Sequence, residues 1–253
     1  MEFEIWHFVV AFLAAFFAGF VDAIAGGGGM IALPTLLAIG VPPHAALATN
    51  KFQGTFGSFT AAANFALKGY VDFKEIALGI VFTLLGAILG TFVVLLIDSK
   101  FLNYIIPFLL LALLVYMIFS PNLGEEERMA RLNARVFYIV FGLLLGFYDG
   151  FFGPGAGSFW TLALVGVLGL YMKKAVAHTK VLNFTSNIVS LVVFIIGGQI
   201  LWLLGGVMAI GQVLGGYFGS NMVMKKDVKF VRKILFFVVA VTILKLLYGL
   251  FAD

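Results

Sequence analysis

One interrupted pattern occurs twice in this chain, and it constrains the fold more than any other feature. Between Gly146 and Asn187 an apolar run carries a carboxylate, Asp149, and then breaks at Gly153-Pro154-Gly155-Ala156-Gly157. A short apolar segment follows, and a polar cluster, His178-Thr179-Lys180, opens the next apolar run. The same order appears between Gly19 and Ser58: Asp22, four glycines at Gly26–Gly29, a short apolar segment, then Asn50-Lys51. At an offset of 127, Gly19, Phe20, Asp22, Gly26 and Gly28 match Gly146, Phe147, Asp149, Gly153 and Gly155. At 129, Ala48, Lys51, Ser58 and Gly69 match Ala177, Lys180, Asn187 and Gly198, and Lys100-Phe101 matches Lys229-Phe230. An offset of 125 pairs Gly86 with Gly211 and Gly90 with Gly215. Such self-similarity divides the chain into a first repeat (1–120), a charged connector (121–134) and a second repeat (135–253).

Hydrophobic residues make up 62% of the 253 and charged residues 11%, too little polar surface to cover a soluble domain of this size. Apolar runs cover Ile5–Phe20, Ile76–Ile97, Phe101–Phe119, Val136–Phe147, Val181–Ile196, Leu201–Val213 and Ile234–Phe251. Several reach the ~20 residues that a helix needs to cross the hydrocarbon core. Strand-type alternation is absent from the sequence, which argues against a barrel. The expected fold is an all-α polytopic membrane protein of two homologous repeats. Each is a Gly-broken hairpin plus three transmembrane helices, giving about 8 spans plus short broken segments.

Cysteine is absent, which excludes disulfides and thiol chemistry. With three histidines and no HExxH or CxxC, no metal site and no cofactor are expected. No His/Asp/Glu cluster stands at catalytic spacing, so the chain is not expected to be an enzyme. The glycine clusters follow no strand and lack GxxxxGK[ST], so they are not a nucleotide site. The amino terminus lacks a basic n-region and reads as the first membrane segment rather than a signal peptide. The net charge of +4 fits loop anchoring in the membrane, not nucleic-acid binding.

The short apolar pieces, Met30–Ile39 and Ser158–Leu170, are re-entrant arms or tilted crossings. Each repeat then crosses an odd number of times, and the two halves are inverted. That arrangement places 13 lysines and arginines on one side (Lys68, Lys74, Arg128, Arg131, Arg135, Lys173, Lys174, Lys180, Lys225, Lys226, Lys229, Arg232, Lys233) and only Lys51 and Lys100 on the other. The first side is then cytoplasmic and both termini lie outside. Parallel halves split the same charges 10 to 5, a weaker segregation.

The glycine breaks are the first candidates for chemistry. Non-helical backbone at membrane depth is tolerated only where protein or a water-filled cavity satisfies it. A helix that starts from such a break presents free N–H groups and a positive dipole to an anion. Paired broken helices of this kind face the substrate in inverted-repeat transporters. The plainer reading, close helix packing through small residues, suits isolated glycines such as Gly86, Gly90, Gly211 and Gly215. Asp22 and Asp149 each sit four residues before their break. They either bind a proton during transport or brace the hairpin by accepting loop N–H groups. Lys51 and Lys180, with Asn50, Thr179, Asn183 and Asn187, place a cation beside amide and hydroxyl donors, which suits an oxyanion. The alternative is a lysine that snorkels to the interface. His178 is either a titrating gate or simply polar.

At Asp149-Gly150-Phe151-Phe152-Gly153-Pro154-Gly155-Ala156-Gly157-Ser158-Phe159 the chain resembles the sulfite exporter TauE/SafE family, also called the toluene sulfonate uptake permease family. The first-half string GFVDAIAGGGGMIALPTLLAIGVPPHAALATNK is similar to that family's amino-terminal repeat. The resemblance implies a multi-pass carrier of the cytoplasmic membrane that moves small anions such as sulfite or organosulfonates by secondary transport. Its expected partners are the anionic substrate and the lipid bilayer, with no nucleic acid and with a homodimer left open. The substrate-binding residues expected are Gly26, Gly27, Gly28, Gly29, Asn50, Lys51, Gly153, Gly155, Gly157, Ser158, Thr179, Lys180, Asn183 and Asn187. Asp22, Asp149 and His178 are expected as structural or proton-coupling groups. The competing functions are an anion channel and a cation permease built on Asp22 and Asp149.

Overall fold

The computed structural model describes residues 3–119 and 130–225. The expected last span (Ile234–Phe251), most of the connector, and Arg128, Lys226, Lys229, Arg232, Lys233 and Lys245 lie outside the described residues. Within them the chain is all-helical: α1 (Ile5–Ala25), α2 (Gly29–Ala38), α3 (Pro43–Leu67), α4 (Phe73–Leu96), α5 (Ser99–Phe119), α6 (Ala134–Phe151), α7 (Ala156–Gly166), α8 (Met172–Ile196) and α9 (Trp202–Lys225). Five of these, α1, α4, α6, α8 and α9, are long and apolar enough to cross a membrane. At 10 and 11 residues, α2 and α7 extend only ~15–17 Å, about half of a ~30 Å hydrocarbon core.

The helix α3 has 25 residues, about 37 Å, and is long enough to span, yet it contains no extended apolar run. Its polar residues Thr49, Asn50, Lys51, Gln53, Thr55 and Ser58 are all buried. The helix α8 has the same character, with His178, Thr179, Lys180, Asn183, Thr185, Ser186 and Ser190 buried. The two pack against each other at the centre of the molecule. The lysines do not open their spans: Lys51 and Lys180 each lie about two turns inside their helices.

The outer helices invert the soluble pattern. On α1 the small residues Ala11, Ala15, Ala18 and Gly19 face inward, while Val9, Leu13 and Phe17 are exposed toward the expected lipid. That small-residue stripe lies along α9, and α6 lies along α4 in the same manner. Several of the close contacts have a twin in the other seam. A Cβ on Gly86 would stand 2.4 Å from the Leu143 carbonyl oxygen and 2.7 Å from the Phe147 nitrogen. One on Gly215 would stand 2.1 Å from the Phe16 carbonyl oxygen and 2.7 Å from the Phe20 nitrogen. Likewise Gly90 abuts the Phe147 carbonyl as Gly219 abuts that of Phe20, and Gly146 abuts Thr83 as Gly19 abuts Gln212.

These twins correct the register expected at the end of the repeat. The counterpart of Gly86 is Gly215 and that of Gly90 is Gly219, an offset of 129 rather than 125. Contacts through the backbone decide it: only the 129 register brings equivalent glycines against equivalent carbonyls.

Candidate functional site

The two glycine breaks meet face to face. Gly26 has φ of 76°, in the left-handed region, and ends α1 with its N–H on the Asp22 carbonyl at 2.8 Å. The backbone of Gly157 lies so close that a Cβ on Gly26 would stand 2.1 Å from the Gly157 carbonyl carbon. The joint is hydrogen-bonded: Ser158 donates its N–H to the Gly26 carbonyl at 3.2 Å and its hydroxyl to that of Ala25 at 2.6 Å. In the second break the Tyr148 hydroxyl donates to the Pro154 carbonyl at 2.6 Å. The N-termini of α2 and α7 therefore converge on one point from opposite repeats.

At that point is a cavity of about 40 Å³, the scale of a few water molecules. It is lined by both breaks, by Asn50, Lys51, Gln53 and Gly54 of α3, by Asn183 and Asn187 of α8, and by Asp22, Asp149 and Gln212. The N–H groups of Gly29, Gly155 and Gly157, at the start of the two short helices, have no acceptor among the described residues. Among the described residues, the fully buried acceptors of lining side chains that lack a partner are Gln53 Oε1 and Asn183 Oδ1.

Both cavity carboxylates are bound by a lysine of the other repeat. Lys51 Nζ lies 2.5 Å from Asp149 Oδ1, and Lys180 Nζ lies 2.9 Å from Asp22 Oδ2. The remaining oxygens are also engaged: Ser186 donates its hydroxyl to Asp149 Oδ2, and the Gly28 N–H donates to Asp22 Oδ1 at 3.2 Å. Lys51 donates further to Asn187 Oδ1 at 3.3 Å, and Asn187 donates to the Ser58 hydroxyl at 3.3 Å. The snorkelling alternative does not hold for either lysine, since Lys51 is 2% exposed and Lys180 is 0% exposed. Two unpaired ammonium groups at this depth would each cost several kcal/mol, and the crossed carboxylates offset that cost.

Of the expected substrate-binding residues, Gly26, Gly28, Gly29, Asn50, Lys51, Gly153, Gly155, Gly157, Asn183 and Asn187 reach the cavity wall, with Asp22 and Asp149. Lys180 does not, and its ammonium is held by Asp22, which does. Gly27 is not on the cavity wall, Ser158 is spent on the joint with Ala25, and Thr179 lies against Thr161, hydroxyl to hydroxyl at 3.2 Å. His178 is away from the cavity. Its Nε2 accepts the Asp72 N–H at 3.2 Å, just before α4, while in the first repeat Thr49 accepts the Leu201 N–H at 3.1 Å just before α9. The two contacts are equivalent at the 129 register, so His178 fills a helix-end role that a hydroxyl fills elsewhere.

The cavity also includes Gln53, which follows Lys51 in the same polar cluster, and Gly54, Ala156 and Gln212, which were not expected as binding residues, and Ser186 lies behind Asp149. Gln212 carried a readable signal, a lone amide among the glycines of an otherwise apolar span. Gly54 and Ala156 carried none.

Comparison with known proteins points to one family. The family model described as "Sulfite exporter TauE/SafE" matches residues 11–246. A "Probable membrane transporter protein" of Haemophilus influenzae is 46% identical over 92% of this chain and 91% of its own length. The "Probable membrane transporter protein YfcA" of Escherichia coli is 44% identical over 94% of this chain and 89% of its own. A more distant relative, the "Probable membrane transporter protein YdhB" of Bacillus subtilis, is 25% identical over 84% of this chain and 87% of its own. No solved structure matches the chain. A match that spans nearly the whole chain, both glycine breaks included, means that this chain belongs to the sulfite exporter TauE/SafE family.

Proposed function

We propose that this membrane transporter of the TauE/SafE family carries a small sulfur-containing anion, sulfite or an organosulfonate, by secondary transport with alternating access. The observation that carries the reading is the convergence of α2 and α7 on one cavity, with the N–H groups of Gly29, Gly155 and Gly157 unclaimed and Lys51 on its wall. Hydrogen bonds to a charged partner contribute about 1.5–3 kcal/mol each, and each helix N-terminus adds ~0.3–1 kcal/mol for an anion. The side-chain donors are Asn50, Asn183, Asn187 and Gln212. At about 40 Å³ the cavity favours a compact oxyanion over a ring-bearing sulfonate unless the two breaks part.

In this reading the repeats are inverted in the cytoplasmic membrane with both termini outside, as the segregation of lysine and arginine favours, 12 to 1 once the buried Lys51 and Lys180 are set aside. Rocking of one repeat against the other would part Gly26 from Gly157 and open the cavity to alternate sides. The test is flux of radiolabelled sulfite into proteoliposomes of the purified protein. Saturable, counterflow-stimulated uptake supports the reading, and absence of saturable flux for sulfite and for simple organosulfonates overturns it. Non-saturating electrogenic conductance would instead indicate an anion channel. A cation permease is disfavoured because each carboxylate is already held by a lysine.

A further inference from the structure

The charges around the cavity form a closed set. Lys51 and Lys180 are cancelled by Asp149 and Asp22. A monoanion that entered would leave one negative charge without a counter-cation in a water-poor space, met only by backbone and amide donors. The two carboxylates, although equivalent in the repeat, are not equally placed to relieve it. Asp149 is 5% exposed, with both oxygens bound by side chains, Lys51 and Ser186. Asp22 is 21% exposed and faces the cavity, and its Oδ1 is met only by a loop N–H at 3.2 Å. Its lysine also has a second acceptor. Lys180 Nζ lies 2.5 Å from the Asp22 backbone carbonyl, so it stays anchored when the carboxylate is lost.

We infer that Asp22 takes up one proton for each monoanion bound, making the transporter a proton–anion cotransporter with Asp149 as the fixed brace. The inference rests on the anion reading above. The proton arrives from cavity water and forms an O–H bond on the Asp22 carboxyl. With the proton on Oδ1, the bond from Lys180 to Oδ2 loses its charge assistance, and the ammonium keeps its bond to the Asp22 carbonyl. The neutral carboxyl then offers a donor to the anion, and the Gly28 N–H is released toward it. Of the charged groups near Asp22, Lys180 of α8 is in contact, and Lys51 of α3 and Asp149 of α6 share the cavity. The cavity faces of α2, α7 and α9 bring glycine, alanine and Gln212, none of which titrates.

The experiment is calorimetric titration of sulfite into the detergent-purified protein, at one pH in two buffers of different ionisation enthalpy, which counts protons taken up per anion. Comparing wild type with Asp22→Asn cancels the titration of sulfite itself. Wild type should take up about one proton more per sulfite than Asp22→Asn. The variant imitates the protonated state, so it should bind sulfite at least as tightly. Equal proton counts, or a folded Asp22→Asn that no longer binds sulfite, overturn the inference. If that variant does not fold, the wild-type pH series decides. Affinity, corrected for the ionisation of sulfite, should weaken toward tenfold per pH unit on the alkaline side, and a flat series overturns the inference. A wild type that binds no sulfite removes the anion reading itself, which is a different outcome from binding without proton uptake.

Discussion

The Lys51 ammonium, two turns into the third helix of the first repeat, lies 2.5 Å from the carboxylate of Asp149 in the second. Lys180 and Asp22 repeat the relationship in the opposite direction. Each repeat therefore holds the other's charge, and neither half can bury its lysine alone.

Breaking one partner of the sealed pair should be costly. Lys51→Met or Asp149→Leu leaves a buried charge uncompensated, and each should lose about 3–5 kcal/mol of stability. The double variant Lys51→Met/Asp149→Leu removes both charges and should recover most of that loss. Thermal unfolding of the four proteins in one detergent measures the cycle. Additive losses would show that the two side chains do not act as a pair.

The joint between the breaks makes a sharper demand on shape. Gly26→Ala drives a Cβ to 2.1 Å from the Gly157 carbonyl carbon and also strains a residue with φ of 76°. Because backbone stands on both sides, the joint must open, and the variant should lose more than the ~1–3 kcal/mol of ordinary overpacking. Gly40→Ala is the control: its φ is 87°, but nothing lies within 4 Å, so only the ~1–2 kcal/mol of left-handed strain should appear. Comparable melting temperatures for the two would remove the joint from the argument.

Much of this architecture was legible in the residues. The two broken hairpins, the short helices that follow them and most of the cavity glycines came from pattern alone, because glycine clusters and a lone Asp are conspicuous in an apolar chain. The pairing of Lys51 with Asp149 was not legible. It depends on which helix faces which across the two repeats, and local spacing carries no record of that. The helix α3 escaped a search for apolar runs because its polar face is turned inward, where it lines the cavity. The end of the repeat was misread for a different reason. Gly211, Gly215 and Gly219 stand four residues apart, so the pair Gly86 and Gly90 fits them in two registers, and only the backbone contacts choose.

The two seams have their own test. Gly86→Ala and Gly215→Ala each aim a methyl at a backbone carbonyl across a seam, at 2.4 and 2.1 Å, and should be damaging to a similar degree, about 1–3 kcal/mol. Gly206→Ala, also on α9, meets nothing within 4 Å and should be stabilising by roughly 0.4–1 kcal/mol, since alanine favours the helix. Opposite signs on one helix, read as melting temperatures, confirm the seam. Equal effects would contradict it.

His178 should behave as a helix-end acceptor and not as a gate. His178→Gln, which keeps an acceptor for the Asp72 N–H, should fold and retain slow hydrogen exchange at that amide. His178→Leu orphans the amide and should cost about 1–3 kcal/mol. The equivalent contact uses Thr49, so the chemistry needed at the position is an acceptor, not a titrating group. A His178→Gln protein that folds normally but loses all transport would contradict this assignment.

The same turn also sets a pH dependence at the start of α4. Asp72 accepts the N–H groups of Lys74 at 2.9 Å and Glu75 at 3.2 Å. The Glu75 N–H is the main influence holding its carboxyl below the ordinary range. Partial desolvation pushes the other way, and the Lys74 N–H and the nearby Lys174 ammonium add to the lowering. A carboxyl whose value is depressed by folding stabilises the folded state above the ordinary carboxylate range, and that contribution is lost as pH falls through the lowered value. Acidification should therefore speed hydrogen exchange at the Lys74 and Glu75 amides relative to the middle of α4, after correction for intrinsic exchange rates. Asp72→Asn keeps an N-cap acceptor without a titrating group, and its α4 terminus should show no such acid-induced change. An identical acid response in both proteins would assign the fraying to another group.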